Sequence, residues 1–188
     1  MNYASSKRTV DILVSFLALS ILSPIIAITA VSIWLDDGLP TIFRQQRSGA
    51  KRTPFTVYKF RSMPNGTANQ ESRVATALRV TRVGRIIRRL NLDELPQLYN
   101  ILKGDMSLVG PRPALLTQET LLQLRDENGS SLLVPGLTGL AQINGFDGMS
   151  DKQKAKYDGL YMQDFGFFQD IKIILATFGY LLRRPPVY

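Results

Sequence analysis

The sequence predicts an α+β chain, mostly α, built on one membrane-associated N-terminal helix. Three observations predict it. The stretch from Ile12 to Leu35 contains no charged residue and carries Ser23-Pro24 at its middle, two short β-prone runs follow it, and most of the remainder reads as amphipathic helix.

As a straight helix the apolar stretch is about 36 Å long at ~1.5 Å per residue, against a hydrocarbon core of roughly 30 Å, so its length permits a full span. Pro24 cannot donate to the carbonyl of Ser20, and its ring displaces that carbonyl, which predicts a bend or break. The Ser20 and Ser23 hydroxyls are placed to compensate. Each arm, 12–23 and 24–35, is only about 18 Å long, enough to pass mid-bilayer and return. Lys7 and Arg8 precede the stretch, and Arg44, Arg47, Lys51 and Arg52 follow it. Positive flanks favour the cytoplasmic side. A re-entrant helix-break-helix with both ends cytoplasmic fits this geometry, and so does a Pro-kinked span. A signal peptide fits poorly, because its apolar region runs to only ~7–15 residues. The predicted segmentation is a membrane element over 1–36 and a cytoplasmic domain over 37–188, continuous with it.

Thr41 to Gln45 and Phe55 to Phe60 are β-prone runs separated by a turn region containing Gly49 and Pro54, which predicts a small hairpin. Residues 65–72 are polar and predict a loop. Arg73 to Leu90 predicts an arginine-studded helix with apolar Val74, Leu78, Val83, Ile86 and Ile87. A further helix is expected from Leu92 to Ile101, with Asp93, Glu94 and Pro96 in its first turn. Residues 104–113 predict an irregular connection, Ala114 to Glu127 an amphipathic helix, and the glycine-rich 135–145 no helical period. Ser150 to Asp164 is again helical, with Lys and Asp on exposed positions. Phe167 to Arg184 carries an apolar run from Ile173 to Leu182 that is too short to span a bilayer, so an interfacial or a core helix is expected.

The formal net charge of +8 over 188 residues points to negatively charged partners: anionic lipid, nucleic acid or phosphorylated small molecules. The chain has neither cysteine nor histidine. That excludes disulfides, thiolate chemistry and the commonest general base, and leaves carboxylates, Lys, Tyr and Ser/Thr to carry any reaction.

Asp93-Glu94 is an adjacent acidic pair preceded by Arg82, Arg85, Arg88 and Arg89. Acidic residues at a helix start are stabilised by the dipole and need no other purpose. Beside guanidinium groups, however, they form a site able to hold phosphate with or without a divalent cation. The arginines are equally suited to resting on lipid headgroups. In Pro111-Arg112-Pro113 one proline fixes its own backbone and the next restricts Arg112 to extended conformations, which presents one guanidinium with little freedom. That suits a phosphate clamp or a rigid turn.

Taken together, Lys7-Arg8 with Asp11, the Ser23-Pro24 break, FRQQRSG at 43–49, FTVYKFRSM at 55–63, LDELPQLYNILKGDMSLVGPRP at 92–113 and PGLTGLAQING at 135–145 resemble the bacterial sugar transferase family, the monotopic phosphoglycosyl transferases. The likeness covers roughly 7–184 and is to the small, single-core form. It implies a re-entrant membrane helix packed with amphipathic surface helices and a small β-hairpin, at the cytoplasmic face of the bacterial inner membrane. It also implies transfer of a sugar 1-phosphate from a UDP-sugar to a polyprenol (undecaprenyl) phosphate, with release of UMP, as the first membrane step of glycoconjugate biosynthesis. By position, Asp93 is the implied nucleophile and Glu94 its partner, in a ping-pong mechanism through a phosphosugar-aspartyl intermediate. Mg2+ is expected at Asp93. Lys59, Arg88 and Arg112 align with basic positions implied to contact phosphate. Leu140 departs from the tryptophan many members carry, which leaves the dyad untouched and removes that aromatic contact.

Two other functions are compatible with parts of the sequence. A non-catalytic basic module on membranes or nucleic acid accounts for the charge but not for Asp93-Glu94 together with Pro111-Arg112-Pro113, and no nucleic-acid partner is expected. A lipid-diphosphate phosphohydrolase would release free phosphate rather than UMP.

Overall fold

The computed structural model describes residues 3–64, 80–145 and 148–181. The loop expected at 65–72 and the start of the helix expected from Arg73, with Val74 and Leu78, lie outside the described residues, as do 182–188.

Helix α1 runs from Tyr3 to Asp37 with Pro24 inside it, so the break expected at Ser23-Pro24 is not an interruption. The reason is local. Pro24 leaves the Ser20 carbonyl without its backbone donor, and the Ser23 hydroxyl donates to it instead at 2.8 Å, while Ser20 Oγ donates to Phe16 O at 2.9 Å. By length and composition α1 is able to cross a membrane, and Phe16, Leu17, Ile21 and Ile28 along its middle are exposed.

Both ends of α1 nevertheless dock on the rest of the protein. Near its start, Lys7 pairs with Asp170, Arg8 donates to the carbonyls of Ile101 (2.5 Å) and Leu102 (2.7 Å), and buried Asp11 accepts from Leu108 N at 3.0 Å. Near its end, Ile33 packs with Phe60 and Ile87, Asp37 pairs with Arg61 at 2.9 Å, and Asp36 accepts from Val83 N at 3.0 Å.

The expected hairpin is present. Strand β1 (Ile42–Ser48) pairs antiparallel with β2 (Pro54–Phe60), setting Phe43 opposite Lys59 and Arg47 opposite Phe55. Helix α2 (Arg82–Arg89) follows. The helix expected from Leu92 is divided into a 3-10 turn over Leu92–Glu94 and α3 (Gln97–Lys103). Asn91 enters the left-handed region at φ 54° just before that turn, and Pro96, which has no N–H to offer, becomes the N-cap of α3. Phe55 and Val57 of β2 pack against Leu98, Ile101 and Met106 to form the central core.

Strands β3 (Ser107–Val109) and β5 (Gly136–Thr138) pair parallel, with β4 (Ala114–Leu115) between them in sequence. The helix expected from Ala114 begins only at Glu119 and forms α4 (Glu119–Glu127), because Ala114 and Leu115 pair with Ser48 and Arg47 as a third strand of the hairpin sheet. The 135–145 segment contains β5 and a short α5 (Leu140–Asn144), too few residues to display a helical period. At Gly136 a Cβ would lie 2.0 Å from Gly110 N, so two backbones meet there at a distance only glycine permits.

Helix α6 (Asp151–Gln163) opens on a capping box, with Ser150 and Gln153 exchanging bonds. Asp158, expected on an exposed position, is buried because Arg125 pairs with it. Helix α7 (Phe167–Leu181) buries Asp170 and Ile173 and leaves Phe168, Leu175 and Phe178 exposed. Of the two expectations for this segment, an apolar outer face fits an interfacial helix. The fold is therefore a mostly helical α+β domain with a long apolar N-terminal helix and, among the described residues, two small sheets.

Candidate active site

Asp93 and Glu94 lie on the 3-10 turn between α2 and α3, and the turn is fixed from both sides. Upstream, Thr81 caps α2 by accepting from Gly84 N at 2.8 Å, and Asp36 occupies the next free donor at Val83. Downstream, fully buried Asn100 of α3 pairs with β2 as another strand would. Its Nδ2 donates to Thr56 O at 2.7 Å and its Oδ1 accepts from Tyr58 N at 3.1 Å. The helix that follows the dyad is thus locked to the strand carrying Lys59.

Lys59, Glu94 and Arg112 form one cluster. Lys59 Nζ lies 2.8 Å and an Arg112 guanidinium nitrogen 3.1 Å from the same oxygen, Glu94 Oε1. Arg88 is half-buried and donates to Ser62 Oγ at 2.8 Å, while Arg82, Arg85 and Arg89 are exposed. The arginine-rich segment therefore divides: Arg88 turns inward and the others remain available to solvent or headgroups.

The two carboxylates differ sharply. Burial works against ionisation of Glu94, but the charges of Lys59 and Arg112, and their hydrogen bonds, outweigh it and hold the carboxyl well below the usual carboxylate range. Asp93 makes no hydrogen bond or ion pair with any described residue. Burial, and next the neighbouring Glu94 charge, push it up to about 6 against the opposing charges of Lys59, Arg88 and Arg112. One member is a fixed, paired anion. The other is unpartnered, more basic than an ordinary aspartate and still ionised at neutral pH, which is the condition of a usable nucleophile.

Among the described residues no group of three or more acidic side chains gathers around a common point, so a cation held wholly by the protein finds no cage. The donor set does fit Mg2+ in the mode where one carboxylate and a substrate's phosphates share the ion, because Asp93 presents hard oxygens that no described residue engages.

All five residues expected from the sequence, Lys59, Arg88, Asp93, Glu94 and Arg112, thus converge on this turn. Ser23 and Pro24 lie apart from it, in the middle of α1. Sequence reasoning missed Asn100, Ser62, Arg125 and Asp158. Only a periodicity that placed Asn100 on the apolar face of its helix could have pointed to one of them.

Residues 2–184 match the family described as bacterial sugar transferase. The chain is 40% identical to the uncharacterized sugar transferase EpsL of Bacillus subtilis, an alignment covering 91% of this chain and 84% of that one. It is 37% identical to a UDP-glucose:undecaprenyl-phosphate glucose-1-phosphate transferase of Caulobacter vibrioides over 97% of this chain and 72% of the relative. To the UDP-N-acetylgalactosamine-undecaprenyl-phosphate N-acetylgalactosaminephosphotransferase of Aeromonas hydrophila it is 38% identical over 96% of this chain, which spans only 44% of that protein. With nearly its whole length matched, the chain belongs to the bacterial sugar transferase family.

Proposed function

We propose that this protein transfers a sugar 1-phosphate from a UDP-sugar to a polyprenol phosphate, in the undecaprenyl class named for its relatives, as the first membrane step of a glycan pathway. The observation that carries the reading is the asymmetric dyad: Glu94 tied to Lys59 and Arg112, and Asp93 left free beside three cations.

In this reading Lys59, Arg88 and Arg112 bind the diphosphate and offset its charge, so that an anionic nucleophile can approach an anionic substrate. An Asp93 carboxylate oxygen attacks the β-phosphorus, the bond from that phosphorus to the oxygen bridging it to the α-phosphate breaks, and UMP leaves with the electron pair. The sugar phosphate is then an acyl phosphate on Asp93. An oxygen of the polyprenol phosphate attacks the same phosphorus and returns the carboxylate. Glu94 keeps Lys59 and Arg112 oriented throughout. Asp93 would hold Mg2+ at this site, and the ion would supply further charge neutralisation.

The membrane reading follows from α1. A straight span would set the two ends of the apolar stretch on opposite membrane surfaces, roughly 30 Å apart. Here Lys7, Arg8 and Asp11 at one end and Asp36 and Asp37 at the other all bond to the same domain. That supports a helix entering and leaving one leaflet at the cytoplasmic face of the inner membrane, with both termini cytoplasmic, Ser23-Pro24 at its deepest point, and the domain from 37 onward seated on that face.

The test is incubation of detergent-solubilised protein with undecaprenyl phosphate, Mg2+ and a panel of UDP-glucose, UDP-galactose, UDP-N-acetylglucosamine and UDP-N-acetylgalactosamine. UMP and a lipid-linked sugar phosphate are expected from at least one donor. Free inorganic phosphate without UMP would indicate a phosphohydrolase instead.

The pH profile gives a second expected result. Because Asp93 must be ionised to attack, kcat/KM for the donor falls about tenfold per unit below an apparent pKa near 6, a value that belongs to the dyad as a whole. Glu94→Gln removes the like charge beside Asp93 and moves the limb to lower pH, whatever it does to the maximum rate. An acid limb unmoved by that substitution contradicts the coupling.

A further inference from the structure

Pro111-Arg112-Pro113 contains a single backbone N–H, because neither proline has one. A loop so short of donors is held through its carbonyls, and all three are occupied. Pro111 O accepts from Gly136 N at 2.9 Å, Arg112 O accepts from an Arg125 guanidinium nitrogen at 3.0 Å, and Pro113 O accepts from Arg47 NH1 at 3.2 Å. The middle bond is the one on the residue whose side chain reaches Glu94.

Arg125 lies on α4, buried, and its orientation is set by Asp158 of α6. Its Nε lies 2.9 Å and its NH2 2.7 Å from Asp158 Oδ2, with both side chains almost fully enclosed. The planar fork uses one edge on the carboxylate and leaves an NH2 proton directed at the Arg112 carbonyl. A buried ion pair of this kind is weak evidence of stabilisation in itself, since desolvation offsets most of its attraction. Its geometric consequence is more specific: it fixes the backbone from which the Arg112 guanidinium projects.

We propose that Arg125 and Asp158 are positioning residues for the transfer reaction, setting the Arg112 guanidinium through its own carbonyl. The inference rests on the reading of Arg112 as a diphosphate contact. Displacements of about an ångström at such a contact cost on the order of a hundredfold in rate.

The test is a double-mutant cycle between this pair and Arg112, read as kcat/KM for UMP release with whichever UDP-sugar of the panel supports turnover. The Arg125→Met/Asp158→Leu protein replaces the buried pair with apolar groups, a class of change that buried ion pairs tolerate, and removes the donor to Arg112 O. It is expected to melt cooperatively and to lose between about tenfold and a hundredfold in activity. In an Arg112→Ala background the same two changes are expected to cost less than about twofold, because the group they position is gone. If the apolar pair does not fold, Arg125→Lys is read in the same cycle by the same criterion; it keeps a charge opposite Asp158 but lacks the fork that serves two acceptors at once. An equal loss in both backgrounds, or full activity without the pair, overturns the inference. Full activity in Arg112→Ala alone overturns the role of Arg112 itself, and the inference with it.

Discussion

Replacing Asp93 with asparagine lowers UMP release by at least about a thousandfold, since the variant retains the shape of the site but has no oxygen able to form the acyl phosphate. Folding is expected to survive. The pKa of Asp93 is raised from 3.8 to about 6, so in the native state its ionisation subtracts stability at pH above that range and subtracts nothing well below it. A neutral amide removes that penalty, and at pH 7.5 the variant should melt at the same temperature as the parent or slightly higher. A thermal melt beside a UMP assay separates loss of chemistry from loss of fold. An Asp93→Asn protein that turns over normally removes the nucleophile assignment.

The second large effect is topological. Ser23→Ala with Pro24→Leu restores a backbone donor for the Ser20 carbonyl and removes a residue that costs a helix interior roughly 3 kcal/mol. A straighter helix favours spanning over re-entry. Crossing the membrane would separate Lys7 from Asp170, Arg8 from the last carbonyls of α3, and Asp11 from the Leu108 amide. A reporter at the N-terminus is expected to move from the cytoplasmic to the opposite side in most molecules, while a C-terminal reporter stays in place and transferase activity falls with the fraction inverted. Reporters that remain cytoplasmic at both ends, with full activity, contradict the role given to the Ser23-Pro24 pair.

What the sequence makes legible and what it conceals divide along a physical line. Local chemistry is legible. The β-prone runs at 41–45 and 55–60 with the turn residues between them announce a hairpin, and Pro24 announces both a missing donor and its hydroxyl substitute, which Ser23 supplies. The helix around Pro24 is continuous all the same, because one hydroxyl bond suffices to carry the ladder past the proline. Residues whose type is itself unusual in context, Asp93-Glu94 and an arginine between two prolines, also stand out in the sequence, and the fold brings Arg112 onto Glu94.

Long-range pairing is not legible. Asp158 reads as a solvated helix residue until Arg125, distant in sequence, is seen to neutralise it. Ala114 and Leu115 read as the start of a helix because nothing nearby in the chain tells of the strand edge at Ser48 that takes them. Asn100 gives no sign that its amide will complete the backbone pairing of β2. In each case the deciding partner is a backbone or charge brought close only by the fold.

In the proposed reaction Asp93 carries the sugar phosphate between donor and acceptor. The most direct measurement is intact-protein and peptide mass spectrometry after incubation with Mg2+ and the productive UDP-sugar, in the absence of any polyprenol phosphate. The expected result is UMP in an amount stoichiometric with enzyme, and a sugar-phosphate adduct on the peptide containing Asp93 that disappears when undecaprenyl phosphate is added. UMP release that strictly requires the lipid acceptor, with no adduct on Asp93, would contradict it and point to direct displacement.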